Sequence, residues 1–168
     1  RLPWLLVGLL GGIFGALVIN QYEDTLQIYP EMALFIPLIA AMGGNVGVQS
    51  SAIIVQGLAN NSLGFDNLFQ RLGKELLVAL VNGLVCSVLI LGYTLLYKDN
   101  NALAATVSVA LVLVIAFAGL FGTFVPLMLD KYKIDPALAT GPFITTMNDI
   151  VGLFIYFGIG HFMYIWLS

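Results

Sequence analysis

Five stretches of this chain are each long and apolar enough to cross a bilayer, and that repetition limits the fold more than any other feature. Hydrocarbon offers no partners to backbone N–H and C=O groups, so a spanning segment must satisfy its own, as a helix does. A bilayer core takes about 20 helical residues. The qualifying segments are residues 2–19, 31–58, 72–97, 102–129 and 136–167. The links at 20–30, 60–64, 98–101 and 130–135 carry turn-forming residues and are too short for a soluble domain. Of the 168 residues 60% are hydrophobic and 9% charged, whereas soluble domains carry roughly 25% charged residues. The expected fold is all-α: one polytopic domain over residues 1–168, with five transmembrane helices, in the cell (inner) membrane.

Basic residues set the expected orientation. Arg1, Arg71, Lys74, Lys131 and Lys133 fall on one side of the membrane and only Lys98 on the other. The excess of Lys and Arg belongs in the cytoplasm, so the N-terminus is expected inside and the C-terminus outside. Arg1 stands directly before the first span, which leads us to expect a soluble part upstream. The external link then holds Glu23 and Asp24, with Glu31 beside it and no base. Such acids either concentrate cations at a mouth or are merely solvated. The sequon at Asn60 falls on the cytoplasmic side and is discounted.

Composition also excludes functions. Six scattered Lys and Arg give no nucleic-acid footprint. The single Cys86 allows no intrachain disulfide, and the single His161 allows no multi-histidine metal site within one chain. No nucleophile–base pair is evident, since Ser50 or Ser51 would have to meet His161 from a distant span. We expect no enzyme.

Asp149 carries the functional signal. It is the one carboxylate deep inside an apolar run, whereas the other eight acids, Glu75 among them, fall at or between the ends of such runs. A charged side chain at the bilayer centre costs at least about 2.5–3.5 kcal/mol and usually faces a partner, a cavity or an ion path. Counted from Pro136, Asp149 lies roughly 20 Å along a helix, near mid-membrane. Gly141, Thr145, Asp149 and Gly152 share its helical stripe, and Tyr156 continues it. In the second span Asn45, Gln49, Ala52 and Gln56 form another stripe beside Gly43, Gly44 and Gly47. This second stripe reads equally as helix-to-helix packing or as the wall of a path. Asn82, Ser87 and Thr123 read as packing, as do the small-xxx-small glycines Gly8, Gly11, Gly12 and Gly15. Oxygen donors suit hard cations. Mg²⁺ keeps several of its waters and needs only one or two carboxylates. One Asp per chain half-neutralises a divalent ion, and two copies about a twofold axis, the commonest oligomer symmetry, would supply the rest.

At these residues the chain resembles a known family. Arg1-Leu2-Pro3-Trp4-Leu5, Phe35-Ile36-Pro37, Gly43-Gly44-Asn45-x-Gly47-x-Gln49-Ser50, Asp135-Pro136-Ala137 and Asp149-x-x-Gly152-Leu153-x-Ile155-Tyr156-Phe157 are similar to motifs in the membrane domain of the MgtE magnesium channels and transporters, in the same order. The resemblance implies a homodimer of five-helix subunits whose pore is lined by the second and fifth helices. It implies that Asp149 recognises a largely hydrated Mg²⁺, with the Thr145 carbonyl close to that ion. It places Asp135 at the cytoplasmic mouth, in a regulatory metal site completed by cytosolic domains, CBS domains included, that this sequence does not contain. An amide that the family sometimes carries a turn before Thr145 is Gly141 here.

The expected function is therefore divalent-cation transport, with Mg²⁺ as the transported ion and Mn²⁺ or Co²⁺ as further candidates. Expected metal-contacting residues are Asp149, Thr145 and Asp135; expected pore-lining residues are Asn45, Gln49, Gly141, Asn148 and Gly152. The competing readings are a proton-coupled secondary transporter and a non-conducting membrane subunit whose Asp149 pairs with a base on another protein.

Overall fold

Each apolar segment forms one long helix, and the computed structural model describes residues 2–62, 68–97, 100–139 and 141–167. The long helices are α1 (Leu2–Gln21), α3 (Ile36–Ala59), α4 (Leu68–Tyr97), α5 (Asn101–Lys131) and α6 (Pro142–Leu167). A short helix, α2 (Glu23–Ile28), and a 3-10 segment (Pro30–Phe35) join α1 to α3, so the link at 20–30 is largely helical. All five long helices meet the length and hydropathy of a membrane span, and the chain is a multi-pass membrane protein. Arg1 and Lys98, used above for orientation, lie outside the described residues, as do positions 63–67, Asp99, Thr140 and Ser168.

Two boundaries differ from expectation. Helix α4 starts at Leu68, which moves Glu75 inside the span. The fifth span starts at Pro142 and not at Pro136, because Pro136–Ala139 is a separate 3-10 turn and Gly141 follows with φ +76°. Glycine takes that left-handed backbone without steric cost, and Pro142 then suits the first helical position, where no N–H is needed.

Helix α5 occupies the centre. Leu103, Val107, Ala110, Leu111, Val114, Ile115 and Ala118 are all buried along it, while α1 and α4 are mostly exposed and present Leu, Val and Phe outward. Contacts fix the directions. On α4, Gly83 faces Val112 and Ser87 Oγ donates to the Ser108 carbonyl at 2.9 Å, so α4 and α5 run antiparallel. On α3, Gly43 meets Val114 and Gly47 meets Gly122, so α3 and α5 run parallel. Gly11 of α1 packs on Thr146 and Gly15 on Leu153, so α1 runs parallel to α6. These directions are those of five successive spans. Of the residues read as packing, Ser87 bridges helices, Thr123 is buried without a hydrogen-bond partner among the described residues, and Asn82 faces outward.

Helix association in lipid has no apolar driving force of its own, so it rests on close packing and hydrogen bonds. Packing is very close at Gly47, where an added Cβ would overlap the Asn148 amide and lie 2.8 Å from the Ile144 Cγ2. At the opposite end of the bundle a polar clamp accompanies the close packing of Gly160 on Met32. Asn100 caps α5 by accepting from the Leu103 N–H at 2.9 Å, and its amide donates to Glu31 Oε1 at 2.9 Å. The Tyr164 hydroxyl donates to the same oxygen at 3.1 Å, and its ring stacks on Tyr29 at 3.7 Å. Tyr156 adds a hydrogen bond to the Met32 carbonyl at 2.9 Å. Glu31 is thus engaged in joining three segments, unlike exposed Glu23 and Asp24.

Two stability outcomes follow. Gly47→Ala should lower stability by about 1–3 kcal/mol through overpacking. Gly44→Ala should be near neutral, because its Cβ would lie 3.6 Å from Thr145 Cγ2, in ordinary contact; thermal unfolding of both variants in detergent checks the contrast. By the same measurement Tyr164→Phe should cost about 1.5 kcal/mol, the scale of a hydrogen bond to a charged group. Gln27→Ala, which removes only an exposed 3.3 Å bond to Glu23, should cost nothing measurable.

Candidate cation site

The entry to α6 is built by short polar residues. Asp135 Oδ1 accepts from the Ala137 N–H at 3.0 Å and closes a turn. After Gly141, the Thr145 N–H donates to the Gly141 carbonyl at 3.1 Å. The Thr145 hydroxyl reaches back to the Pro142 carbonyl at 3.1 Å and the Gly141 carbonyl at 3.3 Å. Its proton is spent on its own helix, so only lone pairs are left to offer elsewhere. Four residues on, one turn along the same face, stands Asp149. Counted from Pro142 it lies about 10 Å into the helix, not the 20 Å expected from Pro136.

Across from this face, α3 presents its polar stripe. Ala40, Ala41, Gly44, Asn45, Val48 and Gln49 of α3, with Thr145 and Asp149 of α6, line a groove of about 460 Å³. The two walls face each other at Gly44, where a Cβ would stand in ordinary contact, 3.7 Å from Asp149 Oδ1. Asn45 and Gln49 are exposed and Asp149 is half-buried. Among the described residues no group hydrogen-bonds to Asp149, and none forms a cluster of three His, Cys, Asp or Glu that could enclose a metal. The groove is therefore open and oxygen-rich, with one carboxylate that has no hydrogen-bond partner among the described residues.

The expected site residues divide accordingly. Asp149, Thr145, Asn45 and Gln49 come together in the groove. Asn148 does not line it: the side chain is 1% exposed and turned into the α3–α6 seam against Gly47, with both amide atoms unpartnered among the described residues. Neighbouring residues on a helix point about 100° apart, which carries 148 away from the face of 149. Gly152 is likewise buried, against Val114 and Ile39. Gly141 sits in the turn before α6, where its carbonyl is taken by Thr145. Asp135 is exposed at that turn, outside the groove. Glu75 was missed. It sits in α4 as the acceptor for Ser50 Oγ, and its spacing from Leu68, Leu72, Ala79 and Gly83 on one helical face was the signal that could have found it.

Comparison with known proteins gives this architecture a family. A family model described as "MgtE: Divalent cation transporter" matches residues 36–159. The magnesium transporter MgtE of Bacillus subtilis strain 168 is 38% identical over 159 residues, covering 95% of this chain and 35% of the relative. That of Enterococcus faecalis is 36% identical over 159 residues, with 95% and 35% covered. That of Thermus thermophilus is 32% identical over 164 residues, with 97% and 36% covered. The chain spans about a third of the length of these relatives. The matched region runs from the start of α3 into α6 and so contains both walls of the groove, and on this ground the chain belongs to the MgtE family of divalent cation transporters.

Proposed function

We propose that the groove is one half of a cation path, that two copies of the chain face each other across a twofold axis to complete it, and that the transported ion is Mg²⁺. The observation that carries this reading is the unpaired Asp149 carboxylate, held inside a span and opposite two outward-facing amides. A lone carboxylate there is costly and serves no helix contact. A divalent cation supplies the missing charge, and two subunits supply two carboxylates to it. Size fits as well: an octahedral shell of waters at about 30 Å³ each occupies on the order of 200 Å³, so a groove of about 460 Å³ admits the ion with its waters. In this reading the Asn45 and Gln49 amides donate to or accept from those waters, the Thr145 carbonyl accepts from them, and Asp149 selects for charge. Mn²⁺ and Co²⁺ satisfy the same donors. The relatives' name, magnesium transporter, favours Mg²⁺. The orientation expected from the basic residues is retained: Arg71 and Lys74 at the start of α4, with Lys131 and Lys133 at the end of α5, mark the cytoplasmic end.

Asp149→Asn keeps the shape of the side chain and removes its charge. Mg²⁺ flux into proteoliposomes, read with a trapped Mg²⁺-sensitive dye, should fall by at least about tenfold while insertion is unchanged; wild-type flux in this variant would remove Asp149 from the path. A pH gradient should leave the wild-type flux unaltered, whereas a flux that follows the gradient would mark proton coupling. Purified protein passing no ion would favour an assembly role.

The twofold arrangement is tested by cross-linking in a Cys86→Ser background. Gln49→Cys or Asn45→Cys should give covalent dimers in membranes on oxidation. Gly152→Cys should not, because it faces α3 and α5 of its own subunit. Monomers in all three cases, with flux intact, would rule the shared path out.

A further inference from the structure

Glu75 is a second carboxylate inside a span, and the groove does not use it. It lies seven residues past Leu68, hence about 10 Å along α4. The face it shares with buried Leu68, Ala79 and Gly83 turns it inward, to where three helices meet. Its Oε1 accepts a hydrogen bond from Ser50 Oγ of α3. Gly119 of α5 leaves room for it, since a Cβ there would lie 3.2 Å from the same oxygen. Ser50 is buried and directly follows Gln49, which is exposed to the groove. The two side chains point about 100° apart on α3, so one faces the ion path while the other faces Glu75.

We propose that Glu75 is a positioning residue: through Ser50 it fixes the rotation of α3 and so holds Asn45 and Gln49 opposite Asp149. The proposal rests on the reading of the groove as a cation path. Its physical basis is the contrast between two kinds of contact on the same helix. Beside it on α3, Gly43, Gly44 and Gly47 keep the helices close through smooth surfaces that offer little resistance to turning about the axis, while Met42 and Val46 pack on the core and Ser51 is buried. A hydrogen bond to a carboxylate is directional, stronger than a neutral one, and stronger again in a low-dielectric interior. Glu75 touches none of the groove wall, so its effect on the ion passes through Ser50. Ser50 lies six residues beyond Gly44, about 9 Å further along α3. A turn there swings Gln49 first and Asn45 next, while Asp149 on α6 stays in place.

The test uses the full chain in proteoliposomes with Ser50→Ala, Ser50→Thr, Glu75→Gln and Glu75→Ala. Each is also made with Gln49→Cys as a reporter in the Cys86→Ser background. Ser50→Ala and Glu75→Ala should each raise the Mg²⁺ concentration for half-maximal flux by on the order of tenfold, with a smaller change in maximal flux. The rate at which a cationic thiosulfonate reacts at Gln49→Cys should change with it. Ser50→Thr keeps the hydroxyl and should restore both. Glu75→Gln keeps an acceptor oxygen and should lie between. The double Ala variant should be no worse than the worse single, as for two halves of one interaction. The proposal is overturned if Ser50→Ala inserts normally and leaves both half-saturation and the reporter rate at wild-type values. It is also overturned if only maximal flux falls, because that is mere loss of folded protein. Should Glu75→Ala fail to insert, the Ser50→Ala and Ser50→Thr pair decides alone. If modification of Gln49→Cys leaves flux untouched in an otherwise wild-type chain, the groove reading fails and the brace fails with it. A reporter that blocks flux beside silent Ser50 and Glu75 variants condemns the brace only.

Discussion

Where Gly47 of α3 meets Gly122 of α5, two helix backbones touch with no side chain between them, and the amide of Asn148 closes the third side of the same junction. Any Cβ at either glycine would force α3 outward. The groove depends on that approach, because Gly44, three residues earlier on α3, faces Thr145 and Asp149 across it. Backbone contact here does in lipid what apolar burial does in water: it supplies dense van der Waals packing that lipid chains cannot match. Asn148 enters this seam with its polar atoms unpartnered among the described residues, a cost of about 1–3 kcal/mol that the surrounding contacts must offset. The price of holding α6 close to α3 is thus visible in the residue next to Asp149.

The five spans and Asp149 were legible because both are one-dimensional signals. A run of apolar residues long enough to cross a bilayer, and a lone carboxylate within such a run, need no knowledge of neighbours. The start of α6 was harder. Pro136 and Pro142 both suit a first helical position, and only the positive φ of Gly141 separates the 3-10 turn from the helix. That choice moved Asp149 by half its expected depth.

Rotation about each helix axis was the other hidden quantity. Periodicity tells which residues share a face, so Thr145 with Asp149 and Asn45 with Gln49 were grouped correctly. It does not tell which way a face points, nor how wide it is. Gly152 falls at the edge of the Asp149 stripe, and the structure gives that edge to α5. Asn148 was taken as pore-lining from its neighbourhood in sequence, and it points into the seam. Glu75 shows the same limit at a helix end: with α4 begun at Leu72 it looks terminal, and with Leu68 it stands two turns inside.

Exposure inside a span separates lipid-facing surface from surface that needs water or protein. Along α1 and α4 the exposed side chains are those lipid accepts, such as Leu5, Phe14, Leu77 and Leu89. Asn82 is exposed on α4 too, but it stands alone between Val78, Val81 and Val85, and one amide in lipid costs far less than a charge. On the α3–α6 face the polar groups converge: Asn45 and Gln49 are exposed, Asp149 lies between them and Thr145, and the small residues Ala40, Ala41 and Gly44 keep the space open. Lipid tails against that face would leave a carboxylate and two amides without partners at once, a penalty comparable to the whole stability of a domain. Water must reach it, and water in a membrane needs a wall on its far side. In the proposed reading a second copy of the chain is that wall, since the same groove has the right polarity and would bring the matching half of the charge.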